Sequence, residues 1–165
     1  MTDRAIFNRR YSSFTPGSSE VWLVNGAGVT TSASKTSSFT AGESLTQGTP
    51  VYVSGVYVLA ASAASGIDPS NYNVVGFTAE AASTSASVDV VLDDTAIISS
   101  GNLVHEVSLT PGKYYYVSNI VGKITNNLAP SGITTSGGYA ALAPVGLALS
   151  SSELSVEISS PVILS

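Results

Sequence analysis

Leu45-Thr-Gln-Gly-Thr-Pro-Val-Tyr-Val-Ser54 aligns without a gap on Leu109-Thr-Pro-Gly-Lys-Tyr-Tyr-Tyr-Val-Ser118, 64 residues later, with six identities in ten positions. An internal repeat at fixed spacing marks one structural unit used twice, so the chain is read first as a tandem pair. Two further segments extend the match. Asn73-Val-Val-Gly-Phe-Thr-Ala79 aligns with Ala143-Pro-Val-Gly-Leu-Ala-Leu149 at an offset of 70, and Val88–Ile98 aligns with Leu154–Leu164 at an offset of 66. Apolar residues coincide in the last pair: Val88 with Leu154, Val90 with Val156, Leu92 with Ile158, and Ala96-Ile-Ile98 with Val162-Ile-Leu164. Matched apolar positions are expected to face inward. The offset changes only between segments, where loops of different length absorb it.

Each copy reads as a Leu-Thr-x-Gly turn, a Tyr-Val-Ser strand, a variable excursion, a Val-Gly strand, a hairpin and a closing strand. Val88-Asp-Val-Val-Leu92 and Leu154-Ser-Val-Glu-Ile158 alternate with the period of a strand, and Gly, Pro and Ser interrupt at short intervals. Ala79–Ser87 is the one helical competitor. Its four Ser/Thr residues disfavour a helix interior, and its counterpart Ser150–Glu153 is too short for one, so a long hairpin loop is expected. The fold class that follows is all-β: a tandem pair of small antiparallel units, as a sandwich or small barrel, preceded by an extended N-terminal arm. The expected divisions are 1–19 as the arm, 20–38 as a first strand (Glu20–Val24) and linker, 39–98 as the first β unit and 99–165 as the second.

Composition bounds the function. The 165 residues include 6 basic and 11 acidic side chains, 10% charged, and no cysteine. Soluble domains usually carry about 25% charged residues, so part of this surface is expected to be covered by other subunits. Disulfides and cysteine metal sites are excluded. The longest apolar run, about six residues at Val56–Ala61, is far short of a membrane helix. Met1–Arg10 lacks the apolar core and small-residue cleavage site of a secretory signal, so synthesis in a cytoplasm is expected.

Charge is unevenly placed. The first ten residues hold Arg4, Arg9 and Arg10 against Asp3, net +2, and the remainder holds three lysines against ten acids, net −7. Read functionally, a basic arm reaches an acidic patch on a neighbour; read structurally, it aids solubility. Ile6, Phe7, Tyr11 and Phe14 lie between the arginines and are candidate apolar anchors, so Arg4, Ile6, Phe7, Arg9, Arg10, Tyr11 and Phe14 form the candidate partner-binding set. An acidic body repels phosphates, so no nucleic-acid partner is expected.

The sequence carries few residues suited to catalytic or cofactor chemistry, and no cofactor or metal is expected. His105 is the single histidine, in the strand-like Leu103-Val-His-Glu-Val107, and no Gly-x-Ser-x-Gly elbow accompanies it. Asp93-Asp94 reads as a solvated turn, with Ser159-Ser160 as its repeat partner. Gly26-Ala-Gly28 with Lys35-Thr36 lacks the glycine before lysine that a phosphate loop needs. Of the consecutive Tyr114, Tyr115 and Tyr116, Tyr115 is exposed if Tyr116, the equivalent of Tyr52, is inward, or the reverse.

The second copy, with Leu109–Ser118, Gly122–Thr135, Pro144-Val-Gly-Leu-Ala-Leu-Ser150 and Glu153-Leu-Ser-Val-Glu157, resembles a β module recurrent in tailed-bacteriophage virion proteins. The first, with Ala41-Gly-Glu-Ser-Leu-Thr-Gln-Gly-Thr-Pro-Val-Tyr-Val53 and Val75-Gly76, is similar to the small β domain of phage capsid decoration (cement) and head-fibre proteins. Together they cover residues 39–164. The resemblance implies a non-enzymatic virion protein on the capsid exterior that binds the major capsid protein, self-associates as a homotrimer and grips the shell through a terminal arm. It offers no catalytic residues. A tail-fibre or baseplate component with a receptor-binding role is the alternative it leaves open.

Overall fold

The computed structural model describes residues 35–64, 66–104, 106–127 and 140–164, with the backbone of two short strands before them. Those two, β1 (Leu23–Val24) and β2 (Thr30–Thr31), pair antiparallel within a compact unit spanning Met1–Lys35. Thr36–Ser165 forms a second compact unit, and the described residues there are all β with two short 3-10 turns.

A closed barrel comes first, in the order β3 (Lys35–Ala41), β5 (Tyr57–Ala60), β4 (Pro50–Ser54), β6 (Val74–Thr78) and β7 (Ser87–Asp93). A five-stranded sheet follows, in the order β10 (Ile124–Thr125), β9 (Tyr114–Val117), β12 (Pro144–Ala148), β13 (Glu153–Val156) and β8 (Thr95–Ile97). A small pair, β11 (Ala141–Leu142) with β14 (Val162–Ile163), completes it. Ala79–Ala86 is a loop, as expected, tied down by a two-way bridge between Leu45 and Ala82. β3 begins at Lys35, four residues before the expected start of the first β unit at residue 39. The described residues of Leu103–Val107 form no strand: Leu103 makes one isolated parallel bridge to Ile124, and Val104 N donates to Ile124 O at 3.2 Å.

The repeat is reproduced bond for bond over most of its length. Val51 pairs with Gly76 and Tyr115 with Gly146; Tyr52 pairs with Val74 and Tyr116 with Pro144. Each ladder therefore skips one residue, Val75 or Val145, in equivalent β-bulges. A bulge adds local twist, and here it brings the next glycine against the following strand. A Cβ on Gly76 would collide with the Val91 carbonyl oxygen, and one on Gly146 with that of Ser155. The Leu-Thr-x-Gly turns also match, with Gly48 and Gly112 both at φ +77°. Their amides bond to Thr78 O and Ala148 O, each at 2.8 Å.

The match includes a carboxylate that the alignment does not display. Glu43 Oε1 accepts the amide of Ala60 at 2.7 Å, just where β5 ends, and Glu106 Oε1 accepts that of Asn126 at 3.2 Å, just past β10. The two glutamates differ by one residue in their spacing from the following Leu-Thr-x-Gly turn, which hides the correspondence.

Two corrections to the sequence alignment emerge. Thr78 pairs with Val90 while Ala148 pairs with Leu154, so the closing strands correspond at an offset of 64 rather than 66. A slip of two residues preserves side-chain parity, so the apolar pattern does not register it. Val88, Val90, Leu154 and Val156 are all inward, as expected. The Ala96/Val162 match does not carry burial: Ala96 is buried against the second sheet, whereas Val162 and Ile163 are exposed. β8 has β13 beside it, and β14 has only β11.

Two cores result. Ala41, Leu45, Val51, Val58, Val88 and Val90 fill the barrel. Tyr52, Phe77 and Val91, on the outer face of the same barrel, join Tyr115, Val117, Ile124, Leu154 and Val156 from the inner face of the second sheet in a larger cluster. Burial of a side chain of this size contributes roughly 1.5–3 kcal/mol, so each half is stabilised by the other. Pro50 and Pro144 open β4 and β12, positions where a strand tolerates a missing N–H.

A buried polar joint fixes the connector between the halves. Asn102, 2% exposed, accepts from Ser99 Oγ at 2.6 Å and donates to Thr49 Oγ1 at 3.3 Å and Thr46 Oγ1 at 3.4 Å. Asn102→Ala leaves Thr46, Thr49 and Ser99 with fewer partners and is expected to lower stability by about 2 kcal/mol. Gly76→Ala and Gly146→Ala each force a strand apart and are expected to cost about 2–3 kcal/mol, against about 1 kcal/mol for Gly55→Ala, whose positive φ lies in open space. Urea unfolding midpoints of the four variants give this ranking; equal midpoints for Gly55→Ala and Gly76→Ala contradict the role assigned to the bulge.

Candidate functional site

The partner-binding set nominated from sequence, Arg4, Ile6, Phe7, Arg9, Arg10, Tyr11 and Phe14, lies outside the described residues, as do His105, Gly26 and Gly28. Asp93 is exposed at the end of β7, and the backbone carbonyl of Asp94 accepts from Val156 N at 2.7 Å. The Asp-Asp doublet thus marks the passage of the chain from barrel to second sheet. Among the described residues there is no group of three His, Asp or Glu placed to hold a metal ion, and no helix long and apolar enough to cross a membrane.

The tyrosine run resolves in one direction. Tyr115 is fully buried, its phenol oxygen accepting from Thr110 N at 2.9 Å and Asn126 Nδ2 at 3.1 Å. Tyr116 is half-buried and Tyr114 exposed. Tyr115 takes the barrel-interior position of Val51, and Tyr116 that of Tyr52. Tyr52 is buried because its strand has a second sheet on its outer face; Tyr116 has none, and that face stays open.

The outward face of the second sheet gathers several exposed apolar side chains on adjacent strands. Strand pairing lays its side chains in rows. Leu149, Glu153 and Ile97 form one; Tyr114, Leu147, Ser155 and Thr95 form the next; Tyr116, Pro144 and Glu157 form the third. Tyr114 is 51% exposed, Leu149 52% and Ile97 46%, with Leu147, Tyr116 and Pro144 half-buried between them. Tyr114 donates to Glu157 Oε2 at 3.4 Å, and Ser155 Oγ donates to Glu157 Oε1 at the same distance. The surface is an apolar sheet face edged by two exposed carboxylates, Glu153 and Glu157. Contiguous apolar patches of this kind mark interaction sites more often than isolated exposed residues do.

An open cavity of about 250 Å³ lies at the joint between the halves, lined by Glu43, Thr46, Thr49, Asn102, Val121 and Lys123. The amide of Asn102 is used within the protein, so the cavity is a seam in the structure. Glu106 Oε2 is buried with no hydrogen-bond partner among the described residues.

The outward face was not legible from sequence. Tyr114, Leu147 and Leu149 read as one apolar group with Tyr115 and Val145, and only strand register separates those facing out from those facing in. Compared with known proteins, the chain matches no protein-family model, and no curated protein matches its sequence.

Proposed function

We propose that the chain is a structural protein of a tailed-bacteriophage particle, a decoration (cement) protein that stabilises the capsid by binding across major capsid protein subunits. The observation that carries this reading is a duplicated, doubly packed β scaffold that keeps an apolar sheet face open at Tyr114, Leu147 and Leu149. The repeat motifs through which the sequence resembles decoration proteins are the turns, bulged strands and Val-Gly pairs that build this scaffold. In this reading the body is a rigid spacer, the open face and the segment carrying Arg4, Ile6, Phe7, Arg9, Arg10, Tyr11 and Phe14 are the adhesive parts, and the copies associate as a homotrimer on the capsid exterior. Cementing needs no chemistry. Each contact of ordinary size, on the order of 1,200–2,000 Å², adds bonds that internal pressure must break before the shell opens.

A second reading, a tail-fibre or baseplate component with a receptor-binding role, is favoured by one observation: Tyr114 stands exposed on a sheet face, as a stacking platform for a sugar ring does. Cryo-microscopy of virions separates the two by where the protein sits.

Removing residues 1–15 is expected to abolish binding to purified capsids while leaving the far-ultraviolet circular dichroism of the body unchanged. Full capsid occupancy by the folded truncated chain rejects the assignment of the N-terminal segment as an anchor.

A further inference from the structure

We infer that the outward face of the second sheet is a docking surface for residues 1–19 of a second copy of this chain. The two surfaces are complementary. The face offers Tyr114, Leu147, Leu149 and Ile97 as apolar contacts and Glu153 and Glu157 as fixed negative charges. The segment offers Ile6, Phe7, Tyr11 and Phe14 as apolar anchors, with Arg4, Arg9 and Arg10 against Asp3, net +2 within ten residues of a chain of net charge −5. Charge of opposite sign beside matched apolar surface gives both on-rate and register.

Dimensions agree. Glu153 and Glu157 lie four residues apart along one strand, roughly 13 Å, and an extended segment from Arg4 to Arg9 covers about 17 Å, within reach of long arginine side chains at either end. Only 10% of the residues are charged, which argues that other subunits cover part of this surface, so the segment is assigned to another copy. The contact is heterologous: the surface given and the surface received are different, and such contacts close into rings when the rotation between copies permits.

The inference is independent of the capsid reading, since self-association needs no capsid. Sedimentation velocity of the full chain across a concentration series tests it, with circular dichroism confirming the fold of each variant. Wild type is expected to self-associate, more weakly as salt rises. Arg4→Glu/Arg9→Glu/Arg10→Glu and Glu153→Arg/Glu157→Arg are each expected to associate at least about tenfold more weakly on their own. An equimolar mixture of the two is expected to regain association, because each then meets its opposite sign. A monomeric wild type, association unaffected by either reversal, or a mixture no stronger than its components overturns the inference. Capsid binding by a chain that is monomeric throughout overturns it too, and leaves the capsid reading standing.

Discussion

Everything in the larger unit depends on three strands that are buried on both faces. β4, β6 and β7 turn Val51, Val88 and Val90 into the barrel and Tyr52, Phe77 and Val91 out of it, against the second sheet. A barrel normally keeps its outer face for water, and its strands then alternate apolar with polar. Here the alternation breaks down where the sheets meet, as in Val90-Val91 and Val51-Tyr52. The scarcity of charge follows in part from the same cause, since positions that would face solvent in a single barrel face a second core instead. The low charge read from composition as a sign of partners is therefore partly a sign of internal packing, and the open face of the second sheet is the part that still speaks for an external partner.

Duplication supplies two similar sheets, but their packing is asymmetric. The outer face of the first meets the inner face of the second, so only one outer face is covered. Residues that correspond in sequence consequently differ in environment: Tyr52 is buried and Tyr116 half-exposed, while Val51 and Tyr115 are both fully buried at very different size. The larger Tyr115 is accommodated because its phenol reaches Thr110 and Asn126. β8 binds the halves covalently as well, since the chain leaves β7 at Asp93 and enters the second sheet at Thr95.

What the sequence disclosed was local. Identities in the turn and strand motifs identified equivalent bonds, and the alternation around Val88 and Leu154 identified the buried parity. Register was not accessible, because a two-residue slip leaves an alternating pattern unchanged. The exposure of Val162 was not accessible either, because burial depends on which strand lies beside it. Glu43 and Glu106 passed unnoticed since a one-residue difference in spacing breaks their alignment while the backbone amides they cap remain equivalent. The tyrosine run gave the right alternatives, and only the pairing of Tyr115 with Gly146 decides between them.

The shared core also sets an order of events during synthesis. Once Asp93 has left the ribosome, the first barrel has all five of its strands, yet Tyr52, Phe77 and Val91 still face water. Their cover is complete only when Val156 emerges, about 63 residues later. At about 5–20 residues per second, the nascent barrel carries a bare apolar flank for roughly 3–13 s. During that window it exposes the kind of apolar surface that makes a nascent chain prone to aggregate.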